Sequence, residues 1–189
     1  MLHGARADPD AAAIWFTVDK SGAVLYNETM IKVLFVCLGN ICRSPTAELV
    51  FKKLVADAGL ADEFCIDSCG SSDEEDGNPI YPPALRVLNA HGIDGSHRAR
   101  QITYDDAESA DYIAVMDERN RSDVLRRVGY SFRDKVFKLG DFDGEPHDIF
   151  DPWFTRNFER AYDEIYRGCE GLLEYIIKNS ECGIDPFRP

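Results

Sequence analysis

Short apolar runs alternate with amphipathic stretches along most of the chain, and this pattern is typical of strands that are each followed by a helix. Four short runs predict strands, and the first of them is continuously apolar, as in a parallel strand that is buried on both faces. These runs are residues 33–36, 64–68, 112–116 and 136–139. Helical patterns begin at Ser44 and cover 82–91, 117–127 and 158–176. The order predicts an α/β fold, a doubly wound, four-stranded parallel sheet with helices on both faces, in the manner of a flavodoxin-like three-layer sandwich.

The two ends of the chain do not follow this alternation, so we divide the sequence into three segments. Residues 1–29 are a predicted N-terminal extension, either weakly ordered or a hairpin with its turn at Ser21-Gly22. Residues 30–178 carry the alternation and form the predicted main domain. Residues 179–189 are predicted to be a C-terminal tail.

Composition narrows the classes of partner. The chain has 189 residues, 44% of them hydrophobic, which suits one globular domain with a substantial core. Its formal net charge of -13 argues against nucleic acid or an anionic membrane surface as a partner. No apolar run reaches the length of a membrane span. An anionic substrate would therefore have to be bound by local donors.

The cysteines indicate a reducing environment. They stand at Cys37, Cys42, Cys65, Cys69, Cys169 and Cys182. Their spacing lacks the paired pattern of a zinc site, so we expect no metal and no other cofactor. A core of this size does not need disulfides, and the N-terminus lacks the features of a signal peptide. We therefore expect a cytoplasmic protein.

The most specific feature is the loop between the first predicted strand and helix. It reads Cys37-Leu38-Gly39-Asn40-Ile41-Cys42-Arg43-Ser44-Pro45. The amides between Cys37 and Arg43 can curl around one tetrahedral anion, with the sulfur beneath it and the guanidinium beside it. Gly39 and Asn40 are residue types that tolerate positive φ, which lets successive amides point inward. The spacing predicts a phosphate-binding site that contains a nucleophile.

The same loop favours a thiolate, the reactive form of cysteine. The amides, the dipole of the following helix and the charge of Arg43 would all stabilise Cys37 as an anion. Ser44 can cap the helix and donate its hydroxyl to the sulfur, while Glu48 suits the helix dipole. The alternative is a structural cysteine with a surface arginine. The preceding strand and the Ser-Pro that opens the helix disfavour it.

The loop resembles the signature of the low-molecular-weight protein tyrosine phosphatases. Further segments resemble that family in the same order along the chain. They are Asp67-Ser68-Cys69-Gly70, Ser96-His97-Arg98-Ala99-Arg100-Gln101, Met116-Asp117-Glu118-Arg119-Asn120 and Asp151-Pro152-Trp153-Phe154. The resemblance covers about residues 30–178.

The resemblance implies a two-step reaction. Cys37 takes the phosphoryl group as a cysteinyl-phosphate, and Arg43 binds the equatorial oxygens. Asp151 donates a proton to the leaving phenolate and then activates water. Amides and guanidinium neutralise the charge, so no metal is needed. Without the resemblance, Asp151 is equally well interpreted as a turn residue before proline.

The resemblance also implies supporting roles, each with a simpler alternative. Asn40, Ser68 and His97 match a hydrogen-bond network that holds the strained asparagine, whereas His97 taken by itself is a solvated loop residue. Cys42 matches a second loop cysteine that traps oxidised Cys37 as a disulfide. Its alternative is a small packing residue.

The predicted crevice wall departs from the family pattern. Glu74 stands where an aromatic residue usually flanks the phosphotyrosine ring, and Glu75 follows it. Charge there would repel acidic phosphopeptides instead of stacking on the ring. Tyr81 is close enough in sequence to supply a ring. Trp153 and Phe154 stand where the family often has two tyrosines, and they can still form a wall.

We therefore predict a protein tyrosine phosphatase, with phosphotyrosine-containing proteins as substrates and phosphate or another oxyanion in the loop. Ile41 stands where related arginine phosphatases carry threonine, so arginine phosphatase is the alternative. Arsenate reductases share the loop but need a further cysteine pair, and none lies between residue 69 and Cys169. A module that binds phosphate or a phosphoprotein without turnover also stays open, although Cys37, Arg43 and Asp151 are all present.

Overall fold

A computed structural model of the chain describes residues 15–18, 24–27 and 30–181. The chain divides into two compact units, Met1–Met30 and Ile31–Pro189. In the first unit, strands β1 (Trp15–Val18) and β2 (Val24–Asn27) pair antiparallel, with Trp15 opposite Asn27. Residues 1–29 were predicted to be either weakly ordered or a hairpin, and a hairpin requires an antiparallel pairing of this kind. The predicted turn at Ser21-Gly22 lies outside the described residues.

The second unit contains a four-stranded parallel sheet in the order β4-β3-β5-β6. Its strands are β3 (Ile31–Cys37), β4 (Phe64–Gly70), β5 (Tyr112–Val115) and β6 (Val136–Lys138). The central strand β3 pairs with both β4 and β5, and all three pairings are parallel. The predicted four-stranded parallel sheet is confirmed.

Six α-helices of the described chain connect and cover these strands. They are α1 (Arg43–Asp57), α2 (Pro82–Ala90), α3 (Tyr104–Ser109), α4 (Glu118–Val128), α5 (Pro152–Thr155) and α6 (Phe158–Glu181). Short 3-10 helices cover Ala61–Glu63, Tyr130–Lys135 and Leu139–Phe142. The sequence pattern missed α3 and α5, which are too short to show an apolar period. Helix α6 continues to Glu181, so residues 179–181 of the predicted tail are helical, and residues 182–189 lie outside the described part.

Successive residues of β3 point to opposite faces of the sheet and enter two separate cores. Val33 and Phe35 pack into the core that contains the buried faces of α1 and α6. Leu34 and Val36 pack into the core that contains the buried residues of α4. Helices therefore cover both faces of the sheet, as predicted. None of the helices in the described part has the length and apolar character that crossing a membrane requires.

This topology places the predicted loop at the carboxyl edge of the sheet. Cys37 ends β3 and is in register with Gly70, which ends β4. Helix α1 begins at Arg43, directly after the loop, so the free amides of its first turn face the loop. Asp117 follows β5 at the same edge and is the N-cap residue of α4. Parallel strands thus deliver residues distant in sequence to one place.

Candidate active site

The loop from Cys37 to Arg43 turns through a single left-handed residue. Asn40 has a φ of 55° and is completely buried. Gly39 is not among the described residues with positive φ, so that prediction is wrong for Gly39: Asn40 supplies the one left-handed conformation. A different feature, the close approach of Glu75, disfavours a larger side chain at position 39. A Cβ atom there would lie 3.0 Å from Cγ of Glu75, tighter than ordinary contact.

The sulfur of Cys37 is buried and has two polar neighbours. The backbone N–H of Asn40 donates to Sγ at 3.3 Å, and Ser44 Oγ lies 3.1 Å from Sγ. A thiolate would accept hydrogen bonds from both groups. The prediction that Ser44 caps the helix is wrong. Helix α1 starts one residue earlier, and Cys42 occupies the cap position without a side-chain hydrogen bond. The Ser44 hydroxyl instead lies beside the sulfur and within 3.3 Å of the Cys69 carbonyl, to which it can also donate.

Asn40 is held by side chains from three other segments. Its Nδ2 donates to Ser44 Oγ and Ser68 Oγ, both at 2.9 Å. Its Oδ1 accepts from the backbone N–H of Arg100 at 3.0 Å and lies 2.8 Å from His97 Nε2. The backbone donor fixes which amide atom is the oxygen, so His97 Nε2 must donate. The structure therefore brings together Asn40, Ser68 and His97, the three residues of the predicted network.

Glu48 closes this network and was missed as a site residue. Its Oε2 accepts from Ser68 Oγ at 2.7 Å and lies 3.2 Å from His97 Nδ1. His97 therefore lies between the Asn40 amide oxygen and the Glu48 carboxylate, with one ring nitrogen toward each. Burial raises the pKa of Glu48, but hydrogen bonds from His97, Lys52 and Ser68 outweigh it and lower the pKa to about 2. Glu48 is therefore a buried acceptor. Its predicted role at the helix dipole is wrong, because α1 begins at Arg43 and its first turn contains no acidic residue.

Arg43 is buried between two carboxylates. Its Nη1 donates to Asp117 Oδ2 at 2.7 Å and to the carbonyl of Ile149 at 3.3 Å. Its Nη2 donates to Asp151 Oδ2 at 3.0 Å. Burial lowers the pKa of Arg43, but the negative charges of Cys37, Asp151 and Asp117 raise it by more than burial lowers it. The pKa of Arg43 is therefore above its ordinary value. The guanidinium is therefore a permanent cation beside the sulfur.

Asp151 is oriented by the short helix that it begins. Its Oδ1 accepts from the backbone N–H of Trp153 at 3.0 Å, as the N-cap of α5, and Oδ2 contacts Arg43. Its side chain is 48% exposed while that of Arg43 is 6% exposed, so the carboxylate can reach a bound molecule and solvent. The structure thus brings Cys37, Arg43 and Asp151 together.

Asp117 is a second residue that sequence reasoning left without a role. It orients Arg43 from the opposite side to Asp151 while its Oδ1 accepts from the backbone N–H of Asn120 at 2.7 Å. The available signal was its position directly after an apolar strand and before a helix, which puts it at the carboxyl edge of the sheet.

One crevice wall is aromatic and is braced by an arginine. The rings of Tyr81 and Trp153 lie 5.4 Å apart, and the guanidinium of Arg156 is 5.5 Å from the Trp153 ring. Arg156 Nη1 also donates to the Tyr81 hydroxyl at 2.6 Å. Tyr81 is tied to the loop because its backbone N–H donates to the carbonyl of Ile41 at 2.7 Å. Phe154, also predicted for the wall, is 89% exposed.

The other wall is acidic. Glu74 is exposed, and its backbone N–H donates to Ser72 Oγ at 3.2 Å. Glu75 is the acid that closely approaches the loop, at Gly39, and its Oε2 accepts from Asn78 Nδ2 at 2.7 Å. The sequence analysis emphasised Glu74, whereas in the structure Glu75 is the residue that approaches Gly39 of the loop.

Cys42, the second cysteine of the loop, has an environment that disfavours its thiolate. Burial and the nearby negative charge of Cys37 raise the pKa of Cys42 to about 12, against a smaller lowering by Arg43. Cys42 is therefore a neutral thiol near pH 7, which leaves Cys37 as the nucleophile of the loop. Within residues 30–181, no group of three or more His, Cys, Asp or Glu side chains is arranged to hold a metal ion.

Comparisons with known proteins agree with this geometry. Residues 32–181 match the family model described as low molecular weight phosphotyrosine protein phosphatase. The chain is 44% identical over 149 residues to the low molecular weight phosphotyrosine protein phosphatase of Sus scrofa, covering 76% of this chain and 94% of the relative. The crystal structure of YfkJ from Bacillus subtilis is similar with a TM-score of 0.77 and 39% identity, over 81% of this chain and 98% of YfkJ. A mutant of the arginine phosphatase YwlE with a phosphorylated active-site serine is similar with a TM-score of 0.70 and 27% identity, over 79% of this chain and 97% of that one.

Proposed function

The chain belongs to the low molecular weight phosphotyrosine protein phosphatase family, and from this premise we propose that it hydrolyses phosphotyrosine monoesters in proteins through a cysteinyl-phosphate intermediate. The observation that carries the proposal is the convergence of three groups. Cys37 lies beneath the loop amides, and Arg43 donates to Asp151 at 3.0 Å beside it. A nucleophile, a fixed cation and a proton donor are the parts that such a reaction needs.

In the first step, the Cys37 thiolate attacks phosphorus and forms the S–P bond while the bond to the phenolic oxygen breaks. Arg43 and the amides of residues 38–43 bind the equatorial oxygens, whose charge grows in the transition state. Asp151, half exposed at the mouth of the site, donates its proton to the departing phenolate oxygen.

In the second step, Asp151 is a carboxylate and accepts a proton from water. That water attacks phosphorus, the S–P bond breaks, and inorganic phosphate and the Cys37 thiolate are regenerated. Ser44, 3.1 Å from the sulfur, stabilises the thiolate both as nucleophile and as leaving group.

Two arguments favour a phenolic leaving group over a guanidinium one. Ile41 places a bulky apolar residue in the loop, and its backbone carbonyl accepts from the backbone N–H of Tyr81, whereas the resemblance to arginine phosphatases implies threonine at this position. The relative named for phosphotyrosine is 44% identical, and the structure named for arginine phosphatase is 27% identical. We place the activity in the cytoplasm, because the nucleophile must stay a reduced thiolate.

The proposal is tested with p-nitrophenyl phosphate, phosphotyrosine, phosphoarginine and arsenate assayed side by side. We expect turnover of the two phosphoesters, abolished in Cys37→Ser, strongly slowed in Asp151→Ala and inhibited by vanadate. Ile41→Thr should shift the ratio of activities toward phosphoarginine. Activity that survives in Cys37→Ser would overturn the mechanism, and arsenate reduction or inert wild-type protein would overturn the assigned reaction.

A further inference from the structure

A surface depression of about 290 Å³ adjoins the aromatic wall of the crevice. It lies between the first turn of α2 and the segment that leads into α6. Its lining includes Pro83, Arg86, Arg156, Asn157 and Glu159. The reaction proposed above uses none of these residues.

Among the residues that the structure describes, two guanidinium groups in this depression form no ion pair with a carboxylate. Arg86 is exposed, and within residues 30–181 no ion pair joins it or Arg156 to an acid. Glu159, the acid in the lining, lies 3.3 Å from His91 Nε2 instead. The chain as a whole carries a net charge of -13, whereas the lining of this depression has two arginines and one acid, so its local charge is opposite to that of the chain.

Arg156 connects this depression to the catalytic crevice. Its guanidinium lies over the rings of Trp153 and Tyr81, at 5.5 and 5.7 Å from their centroids. It is held there by the hydrogen bond to the Tyr81 hydroxyl and by its own left-handed backbone, with a φ of 61°. A substrate residue next to a phosphotyrosine in the crevice would therefore pass over this wall toward Arg86.

The opposite rim has the opposite charge. The acidic segment 73–76 lies on the Leu38–Gly39 side of the loop, where the backbone N–H of Ser72 donates to the carbonyl of Leu38 and Glu75 approaches Gly39. Arg86 and Arg156 lie on the Ile41 side of the loop. Arg156 donates to the Tyr81 hydroxyl, and the backbone N–H of Tyr81 donates to the carbonyl of Ile41. The crevice is therefore polarised across its width, and the two flanks of a bound phosphopeptide would meet different charges.

We propose that Arg86 and Arg156 form a subsite for an anionic group, a carboxylate or a second phosphate, on one flank of the substrate's phosphotyrosine. The planar guanidinium fork binds both groups through paired hydrogen bonds. The subsite rests on the proposed function, since it selects among phosphotyrosine peptides. It predicts that an acidic residue on one flank improves a substrate and that the same residue on the other flank, facing residues 73–76, does not.

The test compares peptides with one phosphotyrosine and, two residues before or after it, glutamate, phosphoserine or alanine. We expect one placement of glutamate to raise kcat/KM about fivefold over alanine, and phosphoserine to raise it further if a second phosphate is preferred. Arg86→Gln should abolish the gain and leave p-nitrophenyl phosphate turnover unchanged. Arg133→Gln, an exposed arginine outside the depression, is the matched control and should keep the gain.

Two outcomes would overturn the subsite: equal rates for both placements, or a gain that persists in Arg86→Gln. The affinities of the same peptides for Cys37→Ser, measured by fluorescence anisotropy, keep the test independent of turnover. Wild-type protein that fails to hydrolyse p-nitrophenyl phosphate would refute the proposed function. In that case, flank-dependent binding that Arg86→Gln removes would still support the subsite, and its absence would refute it.

Discussion

Asp151 Oδ2 accepts a hydrogen bond from Arg43 Nη2 at 3.0 Å, so the proposed general acid is in direct contact with the proposed phosphate ligand. A phosphate that binds Arg43 through both terminal nitrogens competes with this carboxylate oxygen. The other oxygen, Oδ1, stays fixed by the backbone N–H of Trp153. Substrate binding is therefore expected to release Oδ2 toward the leaving group without moving the residue far.

The first prediction concerns the leaving group. Asp151→Asn keeps an oxygen that can cap α5 but has no acidic proton, so we expect kcat for phosphotyrosine to fall about 10²- to 10³-fold. The fall should be smaller for p-nitrophenyl phosphate, whose leaving group needs less protonation. A series of aryl phosphates with graded phenol acidity measures this.

The control for that series is Asp148→Asn, an acid of the same loop that binds Lys138 at 3.0 Å. It should leave the rates unchanged. An equal loss for every aryl phosphate in Asp151→Asn would argue against proton donation by Asp151.

The second prediction concerns the orientation of Arg43. Asp117→Asn removes the charge that holds Nη1 but keeps a side chain able to cap α4. We expect kcat/KM to fall about 10- to 100-fold with little change in thermal stability, because the guanidinium loses a fixed partner. Asp123→Asn, on the same helix, is the control for both measurements and should change neither substantially. Parallel losses of stability and activity in Asp117→Asn would indicate a purely structural role.

The third prediction is a pH dependence of stability that originates at Glu48. Its pKa in the folded protein, about 2, lies below the ordinary value of 4.5. A lowered carboxyl pKa stabilises the fold above the unfolded value, and this contribution is lost as the pH falls from 4.5 toward 2. Glu48→Gln should lower the free energy of unfolding by about 1–3 kcal/mol at pH 7, and by progressively less toward pH 2.

Urea denaturation at pH 7, 5 and 3 checks this. Glu174→Gln, an exposed acid of α6 paired with Lys178, should stay close to the wild type throughout. A Glu48→Gln difference that is the same at every pH would assign the effect to packing instead of charge.

The fourth prediction concerns oxidation. Peroxide converts the Cys37 thiolate to a sulfenic acid, and condensation with the neutral Cys42 thiol would release water and form a disulfide that dithiothreitol reduces. In Cys42→Ser, Cys37 has no such partner, so we expect oxidation to continue to sulfinic acid and activity to stay lost after reduction. Activity recovery and intact-protein mass measure the two products, with Cys65→Ser as the control. Full recovery in Cys42→Ser would leave Cys42 as a packing residue.

The sequence predicted the parts of the site that are contiguous or follow a strong local pattern. The four strands are apolar runs, and the loop from Cys37 to Arg43 carries its chemistry in consecutive residues. Asn40 was identified because a left-handed turn has few alternatives among residue types. Gly39 was misinterpreted because a glycine can also stand where another chain segment approaches closely, as Glu75 does here.

The residues that were missed act through partners from distant segments. Glu48 lies on a helix whose local pattern gives no sign that Ser68 and His97 converge on it. Asp117 shows only a cap pattern, and its contact to Arg43 spans 74 residues. Helix α3 is too short for a periodic signal, although Thr103 and Asp106 form a capping box. The local sequence pattern identifies the reactive residues. The residues that orient them are identified only by tertiary contacts.

The network around Asn40 has a consequence for the time at which the enzyme becomes active. Cys37 is synthesised early, but the amide that fixes its loop is held by Arg100, 60 residues later, and Arg43 meets Asp151 108 residues later. A chain emerging from the ribosome therefore carries a cysteine without the surroundings that make it reactive. A product of translation that ends before Asp151 lacks the proposed general acid, and the onset of hydrolysis during refolding is expected to report that these distant segments have met.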